Sequence, residues 1–540
     1  MENFRLGILE TSDVHGNVLP LNYGTNRPAE LGLAKVATLI KRERDLNHAV
    51  LTIDNGDVIQ GTPLTYHFAK FQREKPNPMI KILNALGYDA GVIGNHEFNY
   101  GLELLKQAIR ESRYPWLSAN IVNAETGEPY FGQPYLIKAF PNGPRIGVLG
   151  LTTQYIPNWE KEEHIRGMRF DDAVKTAQKW VPFLREKEQV DLVVVSYHGG
   201  FERDLDTGEP IETLTGENQG YQLCMDVPGI DVLLTGHQHR QLSGVTVNGV
   251  VILQPGCNGM GLGKVTVDMR KENGRYHVVG KVSEWLSSEG VEPDQDVIAM
   301  VQEYERAVQE WLDQPIGHIQ GDMTASDPML IRMEDHPLIE FINRVQMDAA
   351  GVEVSNTALF DNQSPGFPRD VTMRHVVSNY IYPNTLVVLR VTGQIVKEAL
   401  EKSATYFDLE ADGSVRVSDE FLKPKPQHYN YDMWEGIEYE IDIKRPKGSR
   451  VTVLKYKGKP LEAHQELDVV MNNYRAGGGG DYVMYKGCPV VKDIPIDVSE
   501  LIANYILEHK IINATVNHNW RVTIGGQSPI ALKNESDKNG

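Results

Sequence analysis

In the first half of the chain, short apolar runs alternate with stretches whose apolar residues recur at helical spacing. The apolar runs are typical of buried strands: FRLGILET, AVLTID, AGVIG, RIGVLGLT, DLVVVSY, DVLLTG and GVVILQPG. The helical spacing occurs between them, in residues 30–45, 78–86, 102–112 and 171–187. This alternation predicts a layered α/β domain over residues 1–290.

The second half has a different pattern. A charge-rich helical segment at 294–314 predicts a linker helix within residues 291–320. After it, strand-like runs such as NTLVVLRVTG and LDVVMNN mix with helical stretches at 338–350 and 394–405, which predicts an α+β domain over residues 321–525. The last stretch, 526–540, is polar and is predicted to be a flexible tail.

Composition and charge narrow the function classes. With 41% hydrophobic and 24% charged residues, the chain has the composition of a soluble globular protein, and its 540 residues suggest two large domains or three ordinary ones. Its formal net charge of −19 argues against a nucleic-acid polymer or an anionic membrane surface as the main partner, although local cations could still bind a small anion. The three scattered cysteines and the lack of a secretory signal predict a cytoplasmic protein; a chain that begins after a removed signal would look the same.

Almost every predicted strand of the first half ends in residues of the types that can bind metal ions. These residues are Asp13, His15, Asp57, Asn95, His198, His237 and His239. Each one alone has an ordinary explanation, such as a capped turn or a core histidine. Because ligand sites in open α/β sheets lie outside the carboxyl ends of the strands, all seven are expected to converge, and together they predict a metal centre.

The mixture of ligand types indicates two divalent ions. Asp57 is the natural bridging carboxylate. The remaining residues divide into two sets, Asp13, His15 and His239 for one ion, and Asn95, His198 and His237 for the other. Imidazole mixed with carboxylate suits Mn²⁺, Zn²⁺, Fe or Co better than Mg²⁺.

This series of strand-end motifs, including GNHE at 94–97, resembles the calcineurin-like metallophosphoesterases over residues 6–239. The resemblance implies a four-layer α/β/β/α domain and a metal-bridging hydroxide that attacks phosphorus in line. It also implies that His96 contacts the phosphoryl group or protonates the leaving oxygen.

Two aromatic loops in the second half suggest how a substrate is chosen. SNYIYPNTLVV contains Tyr382, and MNNYRAGGGGDYVMY places Tyr482 after four glycines. Two exposed rings could hold a nucleobase between them, whereas the residues alone favour ordinary hairpins with packed tyrosines. Both loops resemble those of the 5′-nucleotidase C-terminal domain, which implies that Tyr382 and Tyr482 bind the substrate.

Further motifs, including DNGDVIQGTPL and YDMWEGIEYEIDI, are most similar to the bacterial 2′,3′-cyclic-nucleotide 2′-phosphodiesterase/3′-nucleotidase branch of that family. The 5′-nucleotidases usually have Asp where this chain has Asn99, so Asn99 is a candidate catalytic partner of His96; it could also cap the next helix. The usual NGGGIR is replaced by NTALFD at 356–361, which leaves Arg369 and Arg475 as candidate phosphate contacts.

The predicted function is therefore a dimetal hydrolase that opens 2′,3′-cyclic nucleotides to 3′-nucleotides, with a second step to nucleosides left open. Its predicted partner is a small nucleotide, with no nucleic-acid polymer and no membrane. Two alternatives use the same residues: a 5′-nucleotidase or nucleotide-sugar hydrolase, and a non-catalytic nucleotide-binding module.

Overall fold

The computed structural model describes residues 2–47, 49–212, 214–382, 384–423, 425–494 and 496–528. The chain divides into two compact units, Met1–Val308 and Gln309–Gly540. The predicted linker helix is present as Gln295–Leu312. Most of the predicted tail, residues 529–540, lies outside the described residues.

Two six-stranded sheets form the centre of the first unit. In spatial order, the strands of the first sheet are Arg275–Ser287, Gly261–Glu272, Asn3–Thr11, Val50–Asp54, Ala90–Val92 and Trp116–Leu117. Those of the second sheet are Gln241–Val247, Val250–Pro255, Val232–Thr235, Leu192–His198, Arg145–Thr152 and Tyr135–Ala139. Four neighbouring strands in each sheet run parallel.

One hydrophobic core of this unit lies between the two sheets. Leu6 and Ile8 of the first sheet and Val194 and Leu234 of the second belong to one buried cluster. The second sheet buries its other face against the helix Ala173–Glu186. Because both faces are covered, the parallel strands are continuously apolar. The predicted four-layer α/β/β/α arrangement is confirmed.

Some helices of the first unit begin at residues whose side chains cap them. Asn77 accepts hydrogen bonds from the N–H groups of Met79 and Ile80, at 3.0 and 3.3 Å, and so starts a helix at Pro78. The helices are Leu33–Leu46, Pro63–Phe71, Pro78–Leu86, Leu102–Glu111, Glu162–Ile165, Ala173–Glu186 and Gly220–Asp226. Short 3₁₀ turns occur at His96–Phe98 and Ile156–Asn158, and two-stranded ribbons pair Ile121–Asn123 with Met168–Phe170 and Leu21–Asn22 with Arg27–Pro28.

The second unit is built on a five-stranded sheet. Its strands, in spatial order, are Asp432–Glu435, Val354–Ala358, Glu466–Asn472, Leu386–Thr392 and Val490–Ile494. A three-stranded sheet contains Asp370–Thr372, Pro315–Gln320 and Ile511–Asn513, and a four-stranded sheet contains Lys459–Pro460, Val451–Tyr456, Glu438–Asp442 and Trp520–Thr523. Two ribbons pair Met323–Thr324 with Gly366–Phe367 and Phe407–Leu409 with Val415–Val417.

Helices of the second unit pack against these sheets around one large core. They are Pro328–Ile331, Pro337–Ala350, Met373–Asn379, Gly393–Ala404, Asn473–Ala476 and Val498–His509, with 3₁₀ turns at Asp419–Phe421, His428–Asn430 and Val483–Tyr485. Strands and helices alternate irregularly here, as expected for the predicted α+β domain. Among the described residues of the whole chain, no helix combines the length and apolar character needed to span a membrane.

Candidate active site

The predicted metal ligands lie at the carboxyl ends of parallel strands or in the turns that follow them. Five of them adopt left-handed backbone conformations, with φ between 49° and 66°: Asp13, His15, Asp57, His237 and His239. Such conformations are costly for residues other than glycine and are concentrated at functional sites. The first two turns are joined, because the N–H groups of Asp13 and His15 donate to the carbonyls of Gly56 and Asp57, both at 2.9 Å.

Asp13, His15 and His239 form the first ligand cluster, with one ligand atom of each within 4.8 Å of the others. The Nε2 atoms of the two histidines are 3.1 Å apart. Asp13 Oδ1 lies 3.4 Å from His239 Nε2 and 4.0 Å from His15 Nε2. Three donor atoms therefore point at one small volume.

Asp57, His198 and His237 form the second cluster, and Asn95 joins it. His198 Nε2 is 3.1 Å from Asp57 Oδ2. Asn95 Oδ1 is 3.1 Å from the same nitrogen and 2.9 Å from His237 Nδ1. The structure thus brings together all seven residues that the strand ends predict as ligands, in the two predicted sets.

Asp57 lies where a bridging carboxylate is needed. Its Oδ2 atom, 3.1 Å from His198 Nε2, is also 4.0 Å from His15 Nε2 of the first cluster. This oxygen is buried, and among the described residues the side-chain nitrogens found near it are those of His198 and His15. A buried carboxylate is costly unless positive charge balances it. The donor set, with imidazoles around a shared carboxylate, fits two divalent ions.

The protonation of the clusters is governed by burial and by mutual charge. Burial lowers the pKa of His15 to about 3, so its ring is neutral, which is the form that binds metal. Burial opposes ionisation of Asp57, yet nearby histidines outweigh it and hold the pKa of that carboxyl well below its ordinary value. Burial also acts to lower the pKa of His198, but Asp57 raises it to about 10, so a bound metal must displace this proton.

Glu97, whose role sequence reasoning does not identify, holds two of the ligand turns together. Its buried carboxylate accepts hydrogen bonds from the N–H groups of Gly94 (2.7 Å), Asp57 (2.8 Å) and Val58 (2.7 Å). These bonds join the turn containing Asp57 to the turn that precedes Asn95. The signal in the sequence was the Glu of GNHE, but only the fold shows which N–H groups it meets.

His96 lies beside the second cluster and contacts Asn99. Its Nδ1 atom is 2.7 Å from Asn99 Oδ1, and its backbone N–H donates to Asp57 Oδ1 at 2.8 Å. The prediction that Asn99 caps the next helix is wrong. That helix follows Gly101, which occupies the cap position, while the side chain of Asn99 turns toward His96.

Two further residues orient His237 and were not identified from the sequence. The ring of Trp159 stacks on the imidazole of His237, with centroids 5.4 Å apart and an interplanar angle of 27°. Glu217 Oε1 lies 3.0 Å from His237 Nε2, on the side of the ring opposite to the Nδ1 atom that meets Asn95. Partners of this kind fix the ring orientation and tautomer of a ligating histidine.

The prediction that Tyr482 offers an exposed ring is wrong. Its side chain is fully buried, and its hydroxyl hydrogen-bonds Ser403 Oγ at 2.7 Å and the Asn430 carbonyl at 2.9 Å. The guanidinium of Arg475 covers the ring at 3.9 Å and forms a buried ion pair with Asp432 at 2.6 Å. The packed tyrosine that the residues alone favoured is therefore the one observed. Arg475, a candidate phosphate contact, is instead buried in the core, where its guanidinium contacts Tyr482 and Asp432. The other candidate phosphate contact, Arg369, has an exposed side chain.

Other tyrosines of the second unit form a half-buried aromatic cluster. The ring of Tyr382 lies 5.8 Å from that of Tyr429, which lies 6.4 Å from that of Tyr474. Gly479 makes room for the last ring, since a β-carbon there would come within 2.5 Å of it. The signal was present in NNYRAGGGGDY, where Tyr474 precedes the glycines and Tyr482 follows them.

Family models and curated relatives both place this chain in the same family of phosphoesterases. The model of the calcineurin-like phosphoesterases matches residues 6–241, and that of the 5′-nucleotidase C-terminal domain matches residues 315–487. The 2′,3′-cyclic-nucleotide 2′-phosphodiesterase/3′-nucleotidase of Yersinia enterocolitica is 30% identical, covering 98% of this chain and 90% of its own length. The trifunctional nucleotide phosphoesterase YfkN of Bacillus subtilis is 28% identical over 96% of this chain, which spans only 39% of that longer protein.

Solved structures agree with this result. A Staphylococcus aureus structure described as a 5′-nucleotidase in complex with α-ketoglutarate is 36% identical, with a TM-score of 0.88 over 96% of this chain and all of that one. A 5′-nucleotidase precursor from Thermus thermophilus, 22% identical with a TM-score of 0.67 over 96% of this chain and 99% of its own, shares the fold.

Proposed function

We propose that this chain, which belongs to the 5′-nucleotidase family of calcineurin-like phosphoesterases, is a metal-dependent hydrolase that opens 2′,3′-cyclic nucleotides to 3′-nucleotides. The observation that carries the proposal is the pair of ligand clusters that share Asp57. The relatives named for this activity, each about 30% identical, support the choice of ester.

Asp57 is the proposed shared ligand of two divalent ions. Asp13, His15 and His239 are the proposed ligands on one side, and Asn95, His198 and His237 on the other. When bound, such ions supply Lewis acidity and offset the charge of the phosphate. Mixed imidazole and carboxylate ligands favour Mn²⁺, Zn²⁺, Fe or Co.

His96 is the proposed contact for the phosphoryl group. Hydrolysis of the cyclic ester joins a water oxygen to phosphorus and breaks the bond to the 2′ oxygen, which must gain a proton. With Nδ1 held by Asn99 at 2.7 Å, Nε2 is the ring atom left to hold or deliver that proton. His96→Ala is expected to lower turnover about 10²- to 10⁴-fold and to leave metal binding intact.

The half-buried rings of Tyr382, Tyr429 and Tyr474 are the proposed contact for the nucleobase. Stacking on aromatic rings is tolerant of base identity, because every base has a π face. Each ring that stacks contributes about 1–3 kcal/mol, so Tyr474→Ala is expected to raise KM with a smaller change in kcat.

Comparison of three substrates tests the proposal. Hydrolysis of 2′,3′-cyclic AMP, 3′-AMP and 5′-AMP is measured with Mn²⁺, with Asp57→Ala protein as a control for contaminating phosphatases. The expected result is highest kcat/KM on the cyclic ester. Activity on 5′-AMP alone would favour a 5′-nucleotidase instead, and nucleotide binding without hydrolysis would favour a binding module.

A further inference from the structure

Behind Asn99 lies a buried acidic residue, Glu160, that is distant in the sequence. Its side chain is only 5% exposed. Glu160 Oε2 accepts a hydrogen bond from Asn99 Nδ2 at 2.8 Å, while the opposite face of that amide, Oδ1, meets His96 Nδ1 at 2.7 Å. The three side chains therefore form a continuous chain, His96 to Asn99 to Glu160.

The other oxygen of Glu160 is also occupied. Oε1 lies 2.8 Å from His164 Nδ1 and accepts the N–H of Lys161 at 2.8 Å. Three hydrogen-bond contacts thus meet one buried carboxylate, which fixes its position. Glu160 follows Trp159, whose ring stacks on His237, so one short segment supports two parts of the site.

This arrangement decides which way the amide of Asn99 faces. An ionised carboxylate only accepts hydrogen bonds, so the NH₂ group of Asn99 must face Glu160. The carbonyl oxygen then faces His96, and it can only accept, so Nδ1 of His96 must carry the hydrogen. In the neutral ring, Nε2 is left without one and can accept a proton, and once protonated it can donate to a phosphoryl oxygen or to the leaving oxygen.

We propose that Glu160 is a positioning residue, which orients Asn99 and through it sets the tautomer of His96. The expected effect on kcat rests on the proposed function, whereas the effect on the tautomer of His96 does not. In the resemblance drawn from the sequence, 5′-nucleotidases place a carboxylate directly beside the histidine. Here a neutral amide stands at that position, and the carboxylate lies one side chain further away.

A double-mutant cycle tests the pairing of Asn99 with Glu160. Asn99→Asp alone sets two carboxylates against each other and is expected to lower kcat about tenfold to a hundredfold, which is the scale seen for partners that orient site residues. Glu160→Gln alone is expected to lower kcat up to about tenfold, with KM within about twofold, since Glu160 does not touch the proposed substrate.

The decisive variant combines the two changes. The glutamine introduced at position 160 can donate its NH₂ group to the carboxylate introduced at position 99. Glu160→Gln is therefore expected to raise kcat in the Asn99→Asp background although it lowers kcat in the original chain. This reversal of sign is not expected of a merely structural residue. If the two changes lower kcat independently in both backgrounds, the proposal is overturned.

Glu163→Gln is the matched control. Glu163 lies in the same segment and 3.7 Å from His164 Nε2, but its side chain is 60% exposed. Within each background at position 99, Glu163→Gln should leave kcat unchanged. Metal content and the urea midpoint are measured for every variant, so that a loss of folding is separated from a loss of positioning.

A spectroscopic measurement on metal-free protein keeps the proposal independent of turnover. Side-chain ¹⁵N shifts at pH 8, assigned to His96 by the loss of its signals in His96→Gln, report which ring nitrogen carries the hydrogen. The expected result is the Nδ1–H tautomer in the original chain and a larger Nε2–H fraction in Glu160→Gln. An Nε2–H ring in the original chain refutes the proposal, whereas an Nδ1–H ring in a protein that hydrolyses no nucleotide refutes only the proposed function.

Discussion

Replacing Glu97 by glutamine tests whether its carboxylate holds the ligand turns in place. Glu97 is buried and accepts hydrogen bonds from Gly94 and Asp57 through Oε2 and from Val58 through Oε1. Glutamine has nearly the same shape but only one acceptor oxygen. If the oxygen of the glutamine takes the place of Oε2, the side chain keeps the hydrogen bonds from Gly94 and Asp57. Its NH₂ group then faces the N–H of Val58, so that two donors lie opposite each other.

The expected cost follows from these contacts. A hydrogen bond to a charged group contributes about 1.5–3 kcal/mol, and a buried donor left without a partner costs about 1–3 kcal/mol. Losing the first and creating the second at Val58 costs about 2.5–6 kcal/mol. Glutamine also removes the buried charge that raises the pKa of Glu97 to about 7, which returns up to about 3 kcal/mol at pH 8. Asp57 also has a left-handed backbone (φ 58°), so a loosened turn should relax away from the geometry that binds metal.

Urea denaturation and Mn²⁺ titration measure the two consequences. The work is done at pH 8, because burial and the charge of Asp57 raise the pKa of Glu97 to about 7, and the carboxylate must be ionised. Unfolding of the first unit is followed in metal-free protein, and the Kd for Mn²⁺ is measured by calorimetry. A weaker Kd and a lower urea midpoint are expected together.

Glu103→Gln serves as the control, since this glutamate lies in the first turn of the next helix with a side chain 77% exposed. Its stability should change by less than about 0.5 kcal/mol, as for most surface substitutions. If Glu97→Gln behaves like this control in both measurements, Glu97 does not support the turns and the reasoning fails.

Three further predictions concern other parts of the molecule. Asp57→Ala should weaken Mn²⁺ binding more than about a hundredfold in calorimetry and abolish turnover. Even mutation of a residue that only hydrogen-bonds to a metal ligand lowers metal affinity or activity about 10- to 100-fold. Unchanged binding would contradict the bridging role. Burial raises the pKa of Glu435 from 4.5 to about 7, so the fold loses stability as pH rises through this window, by up to about 3 kcal/mol. Glu435→Gln should therefore stabilise the second unit in urea at pH 8 but hardly at pH 5, whereas the exposed Glu462→Gln should do neither. Arg475→Ala should lower unfolding free energy by about 3–5 kcal/mol because it leaves Asp432 charged and unpaired, and a loss below about 1 kcal/mol in urea would show that the pair is not structural.

The predicted elements agree closely where the sequence pattern is local. The helix predicted at 78–86 is observed as Pro78–Leu86, because Asn77 and Pro78 define its start and a left-handed Gly87 ends it. The strand predicted over AVLTID is observed as Val50–Asp54. In both cases the signal lies in a few neighbouring residues.

Loops were predicted less well, because their side chains respond to distant partners. Asn99 has the right chemistry for a helix cap, yet its amide pairs with His96 and with Glu160 instead. Tyr482 follows four glycines that suggest an open loop, yet Arg475 covers its ring. Neither outcome can be derived from the spacing of residues in the loop itself.

The sequence by itself determined the layered first domain and the convergence of seven metal ligands. It could do so because parallel strands place their carboxyl ends at one edge, so ligand residues after those strands must meet. Only the tertiary structure decided which polar groups support the ligands, such as Glu97 beneath Asp57 and Glu160 behind Asn99. Those contacts join residues 40 and 61 positions apart, and their partners are chosen by packing of the whole unit rather than by any local pattern.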